Sequence, residues 1–111
     1  MNNENAQHKK IIEEIIERIA KIRVSENLSQ RELSLRIGKN AGYIHMLESS
    51  KSFAPTFDTL LDILDVFEIP VNRFFYEPYE DYKTDSEIIR LLKTTNAKKK
   101  EAILTLLKNG D

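Results

Sequence analysis

The stretch QRELSLRIGKNAGYIHMLE, Gln30 to Glu48, decides the fold. Leu33 and Ile37 stand four residues apart, then Ile44 and Leu47 three apart, the spacing of two short helices that each hide one face. Gly38 separates them, and glycine tolerates the left-handed backbone that a tight exit from a helix requires. Ser34 is small and falls where two crossing helices must approach closely. The pattern therefore reads helix, tight turn, helix.

Working outward, Ser29-Gln30-Arg31-Glu32 has the form of a capping box, in which hydroxyl and carboxylate satisfy free backbone N–H groups. Asn40 is placed to cap a third helix running from Ala41 to about Ser49. Upstream, Ile12, Ile15, Ile19 and Ile22 share one face of a first helix spanning about His8 to Val24, and Ile11 and Ile16 widen that stripe. Downstream, Thr56 follows Pro55 and caps a helix to about Phe67, with Leu60, Leu61, Leu64 and Phe67 facing inward. A short helix holds Val71, Phe74 and Phe75. Tyr76 to Lys83 reads as an acidic, tyrosine-rich linker. Thr84-Asp85-Ser86-Glu87 reads as another capping box, opening a helix to about Lys93, and a last helix runs from Ala97 to about Lys108. Glycine and proline are scarce, at 3 each, and no alternating apolar–polar run of useful length occurs. The expected class is all-α. The expected division is a helical domain over 8–77, then a linker and C-terminal helical extension over 78–111.

Composition narrows the function. Hydrophobic residues make up 41% and charged residues 32% of the 111, which suits a soluble globular domain. Cysteine is absent, excluding disulfides and thiolate metal sites, and His8 and His45 are too few for a histidine-rich one. No apolar run approaches the ~20 residues that cross a membrane, and the polar N-terminus lacks a signal-peptide core, so a cytoplasmic location is expected. The formal net charge of -1 hides an uneven distribution: +2 over 1–55, -6 over 56–82 and +3 over 83–111. A local basic surface is compatible with that balance. There is no nucleophile–base pair, phosphate-cradling loop or metal constellation, and Glu13-Glu14 sit on an ordinary charged helix face. No enzyme activity, cofactor or metal is expected.

Two short helices joined by a glycine-containing turn make a helix-turn-helix, whose second helix can enter the major groove while the first crosses the backbone. Around it, Arg18-Ile19, Ile22-Arg23, Leu28-Ser29-Gln30-Arg31-Glu32-Leu33, Gly38, Tyr43-Ile44, Leu47-Glu48, Pro55-Thr56 and Ile69 through Phe74-Phe75 resemble the Cro/phage-repressor (XRE-like) helix-turn-helix family. The resemblance covers residues 15–77. It implies a five-helix, repressor-like DNA-binding domain, usually dimeric on a palindromic operator.

Residue roles follow from that resemblance and from side-chain chemistry. Gln30 begins the second helix, where its amide can bond a phosphate or a base edge. Asn40, Ala41, Gly42, His45 and Met46 are expected on the exposed side of the third helix, and the resemblance gives base reading mainly to Ala41, Gly42 and Met46. Ala41 and Met46 can touch a thymine methyl, but neither offers bidentate hydrogen bonding. Specificity then falls to Asn40, His45, Gln30 and DNA shape. Asn40 serves as a cap, a DNA contact or both; His45 is a surface residue or a base reader. Tyr43 reads as a packed residue whose hydroxyl can reach a phosphate. Lys39, Lys51 and Ser52 are candidate phosphate contacts, or simply solvated. Arg23 and Glu48 resemble a structural salt bridge. Ser50 stands where the family usually has glycine, so the following loop is expected to take another course.

The extension carries Ile88, Ile89, Leu91 and Leu92, then Ala102, Ile103, Leu104, Leu106 and Leu107, more apolar surface than a solvated appendage shows. It packs on its own domain or pairs with a second chain. Dimerisation is the expectation, because a symmetric operator needs two recognition helices one turn apart. Ile88, Leu91, Leu92, Ile103, Leu106 and Leu107 are the interface candidates. The expected function is a dimeric, DNA-binding transcriptional repressor whose partners are double-stranded DNA and a second copy, with a protein or peptide effector also admitted. The rival is a protein-interaction module on the same fold, such as an antirepressor or antitoxin-like partner, with weakened DNA reading.

Overall fold

The computed structural model describes residues 3–50 and 53–110, and among them forms seven α-helices and one 3-10 turn, with no strand. The all-α expectation holds. The helices are α1 (Asn3–Ser25), α2 (Gln30–Arg36), α3 (Tyr43–Ser50), α4 (Phe57–Val66), α5 (Val71–Phe74), α6 (Tyr82–Lys93) and α7 (Ala97–Asn109); the 3-10 turn is Tyr79–Asp81. The chain divides into two compact units, the first ending at Val71 and the second beginning at Asn72. Among the described residues no helix is long and apolar enough to cross a membrane.

The core of the first unit joins Ile16, Ile19 and Ile22 of α1 with Leu28, Leu33, Ile37, Ile44, Leu47, Leu60, Ile63 and Leu64. Each such side chain contributes about 1.5–3 kcal/mol on burial, before the entropy of ordering it. The isoleucine stripe of α1 is core only from Ile16 onward: Ile12 and Ile15 are half-buried and Ile11 is exposed. α2 packs against α3 and α4, and α1 against α3.

Three helices of this unit end in the same way. After α1, Asn27 N–H donates to Val24 O and Leu28 N–H to Arg23 O. After α2, Gly38 N–H donates to Leu35 O and Lys39 N–H to Ser34 O. After α4, Glu68 N–H donates to Asp65 O and Ile69 N–H to Leu64 O. Each is a Schellman closure, which needs one left-handed residue. Those residues are Asn27 (φ 57°), Gly38 (φ 76°) and Glu68 (φ 54°), so only the second has the residue type that adopts this backbone without strain.

α2 opens with the expected capping box: Ser29 Oγ accepts from Glu32 N–H and Glu32 Oε1 from Ser29 N–H. Ser34 is fully buried, and its hydroxyl does more than leave room. It donates to Gln30 O at 2.8 Å and accepts from Ile44 N–H at 3.0 Å, satisfying a free donor in the first turn of α3. A second tie joins α1 to α3. Arg23 Nε and Nη2 hold Glu48 Oε2 and Oε1 at 2.8 and 2.9 Å, while Arg23 Nη1 donates to Leu28 O at 2.9 Å. Both side chains are nearly buried, and the expected structural pair is formed.

In the second unit, Tyr76 Oη donates to Asp85 Oδ2 at 2.6 Å, and that bond to Asp85 raises the Tyr76 hydroxyl above its ordinary pKa. Asn72 Nδ2 donates to Tyr82 Oη, and the Arg73 guanidinium lies 5.5 and 5.9 Å from the ring centroids of Tyr79 and Tyr82. These contacts organise the segment expected to be a linker. The 3-10 turn runs straight into α6 at Tyr82, so Thr84 to Glu87 lie inside a helix and form no capping box. α7 begins where expected, capped by Asn96 Oδ1 accepting from Lys99 N–H. No residue of α6 or α7 is buried.

Gly38→Ala is expected to destabilise the first unit by about 1 kcal/mol, and Glu68→Gly to stabilise it by a similar amount, because only the left-handed backbone cost changes. Glu48→Ala is expected to cost about 3 kcal/mol by leaving Arg23 nearly buried without its counter-charge. Urea unfolding of the three variants beside the parent checks all of these.

Candidate nucleic-acid interface

Gln30 lies at the first position of α2, and His45, Met46 and Ser49 ride on the exposed side of α3. The turn from Gly38 to Gly42 carries Lys39, Asn40 and Ala41 up to that helix. Asn40 behaves as asparagine often does in turns: its side chain bonds the backbone two residues on, with Oδ1 accepting from Gly42 N–H at 3.0 Å. Tyr43 N–H then donates to Asn40 O at 3.1 Å. This closure delays the helix, and α3 starts at Tyr43 rather than Ala41. Ala41 and Gly42 therefore precede α3 and do not form its first turn, a correction to the sequence reading of where that helix begins. Asn40 likewise closes the turn and does not cap a helix beginning at Ala41.

Tyr43 is half-buried, as its packing role requires. Its ring meets Phe53 edge to face at 6.4 Å, and Lys39 Nζ lies 5.4 Å from its centroid. Burial raises the Tyr43 hydroxyl above its ordinary pKa, so it stays a neutral donor. The Lys39 ammonium thus lies over an aromatic face beside the turn, within cation–π range. Lys51 and Ser52 lie outside the described residues. Ser50 does not take the left-handed backbone that a glycine there would suit; α3 continues through it.

A chain of hydrogen bonds crosses the site. Gln30 Nε2 donates to Glu48 Oε1 at 2.8 Å, on the carboxylate that Arg23 already holds. Gln30 Oε1 lies 3.2 Å from His45 Nδ1. Ser49 Oγ donates to His45 O at 2.6 Å and lies 3.4 Å from His45 Nε2. Gln30 and His45, both named as candidates from the sequence, are thus brought into contact across 15 positions. Gln30 keeps one amide N–H for a phosphate or base. Ser49 was missed; the available signal was its place one helical turn beyond His45.

The arrangement offers a short helix with one exposed side, a lysine beside the preceding turn, and polar groups whose positions are fixed by partners behind them. Asp58, Asp62 and Asp65 on α4 are exposed and acidic, which would repel a polyanion. Among the described residues, no group of three or more His, Asp or Glu side chains could hold a metal ion.

No curated protein and no solved structure matches the chain. The model of a helix-turn-helix domain family matches residues 16–80, a span that contains α2, α3 and the turn between them. The chain belongs to that helix-turn-helix domain family, a fold of DNA-binding regulators.

Proposed function

We propose that the protein is a sequence-specific transcriptional repressor of the Cro/phage-repressor (XRE-like) kind, acting as a homodimer on a palindromic operator with α3 in the major groove. The observation that carries this reading is the pose of α3. Ser34 and the Gly38 closure fix it against α2, Arg23–Glu48 fixes it against α1, and its exposed side presents His45 and Met46 next to Gln30. Rigid support of a small reading surface is what groove recognition requires. Gln30, Lys39, Asn40 and Tyr43 are the proposed backbone-facing groups, with Lys51 and Ser52 beyond them in sequence. Ala41, Gly42, His45 and Met46 are proposed to face the base edges.

The homodimer is supported by the C-terminal helices. Ile88 and Leu91 on α6 are about half exposed, and Leu106 and Leu107 on α7 are 70% and 71% exposed. A helix of 13 residues is marginal in water without a packed face. Ile88, Leu91, Leu92, Ile103, Leu106 and Leu107 are proposed to meet the same residues of a second copy, placing two recognition helices on two half-sites.

Titration into duplex DNA from upstream of the protein's own coding sequence, and into a scrambled duplex, tests the DNA reading at two salt concentrations. Both should show the affinity falling steeply with salt, with a preference for the first. Gln30→Ala should weaken binding about tenfold and Asp62→Asn leave it unchanged. The reverse pattern would move the binding face elsewhere, and salt-independent or absent binding would favour the interaction-module reading. Light scattering after gel filtration should give a dimer mass, reduced to a monomer by Leu106→Lys with Leu107→Lys; a wild-type monomer at micromolar concentration overturns the proposed interface.

A further inference from the structure

The chain from Arg23 to His45 leaves each polar group one orientation. Arg23 is permanently charged and its guanidinium holds both oxygens of Glu48. A carboxylate accepts and does not donate, so Gln30 must turn its amide nitrogen to Glu48 and its oxygen away. That oxygen, Oε1, lies 3.2 Å from His45 Nδ1. An amide oxygen also only accepts, so the single proton of a neutral His45 ring sits on Nδ1. Nε2 is left with its lone pair. Ser49 does not occupy it: its hydroxyl proton is directed to His45 O at 2.6 Å, and its oxygen stays 3.4 Å from Nε2. The imidazole is exposed, so this lone pair is available to whatever docks on α3.

We propose that His45 is the residue through which α3 discriminates bases, and that it does so as a hydrogen-bond acceptor. Its Nε2 takes a hydrogen from an exocyclic amino group, adenine N6 or cytosine N4, at the floor of the major groove. Guanine is disfavoured at that position, because it offers only the N7 and O6 acceptors there. The neighbouring exposed residue of α3 points the same way: Met46 has no hydrogen to donate and suits a thymine methyl, and Ala41 before the helix has only its methyl group. The side chains nearest the bases are therefore poor in donors, and the preferred half-site carries A·T pairs under α3. The inference rests on the reading that α3 enters the groove.

Two measurements on the full chain test it. The first needs no DNA: long-range proton–nitrogen correlation spectra of the His45 ring, recorded in alkaline buffer. The proton of His45 is expected on Nδ1, and Gln30→Ala is expected to shift the population toward the Nε2–H form. A wild-type ring protonated on Nε2 overturns the proposal. The second is selection of bound duplexes from a randomised DNA pool. Wild type should enrich adenine or cytosine over guanine about fivefold at one position. His45→Arg, which replaces an acceptor by donors, should move that position to guanine and leave the others as they were. His45→Ala should lose the preference there while still binding. An unchanged base preference in both variants overturns the proposal with the DNA reading intact. Enrichment of no duplex by wild type, with the Nδ1 proton observed, overturns the DNA reading and the proposal with it.

Discussion

The pose of α3 relative to α1 depends on one ion pair. Arg23 comes from the last turn of α1 and Glu48 from the second half of α3, and their contact joins the two helices in three dimensions. A pair this nearly buried gives up about as much hydration as it gains in attraction, so its value is geometric more than energetic. Both Glu48 oxygens are held by one planar guanidinium, which leaves the carboxylate no freedom to rotate. Gln30 then binds a fixed acceptor, and His45 binds a fixed amide. An exposed imidazole is thereby positioned by a cation that belongs to a different helix. Order at the surface follows from order beneath it.

The parts of the fold that were legible in sequence are those governed by neighbours along the chain. Ser29 and Glu32 announce the start of α2, Gly38 its end, and Thr56 the start of α4, because caps and left-handed exits are local chemistry. Local chemistry also misleads where two local rules compete. Asn40 can cap a helix or close a turn on Gly42, and it does the second, which moves the first turn of α3 by two residues. Thr84 to Glu87 satisfy a capping pattern, yet the 3-10 turn at Tyr79–Asp81 and the bonds of Tyr76 and Tyr82 start the helix before it.

What was not legible is what depends on residues far apart in sequence. Ser34 is recognisable as small, but nothing in its neighbours says that its hydroxyl will receive the Ile44 amide. Gln30 and His45 could each be named as candidates from residue type and position. Their contact could not, and it is that contact which gives the histidine a defined hydrogen-bonding sense. The inner stretch of the isoleucine face on α1 was readable as core; its outer residues, Ile11 to Ile15, follow the same period without the same burial, since periodicity reports a shared face and not a partner.

Gly42 has a consequence of another kind. It precedes α3, its backbone is not left-handed, and a Cβ built there would meet only Asn40 Oδ1, at an ordinary 3.7 Å. The position is exposed and lies just before the first residue of α3. It is therefore a vacant socket in an otherwise committed surface. The scaffold behind it is pinned by Ser34 and Arg23, neither of which a residue at 42 would disturb. A side chain can therefore be added there by a single substitution, without a second change to keep the protein folded.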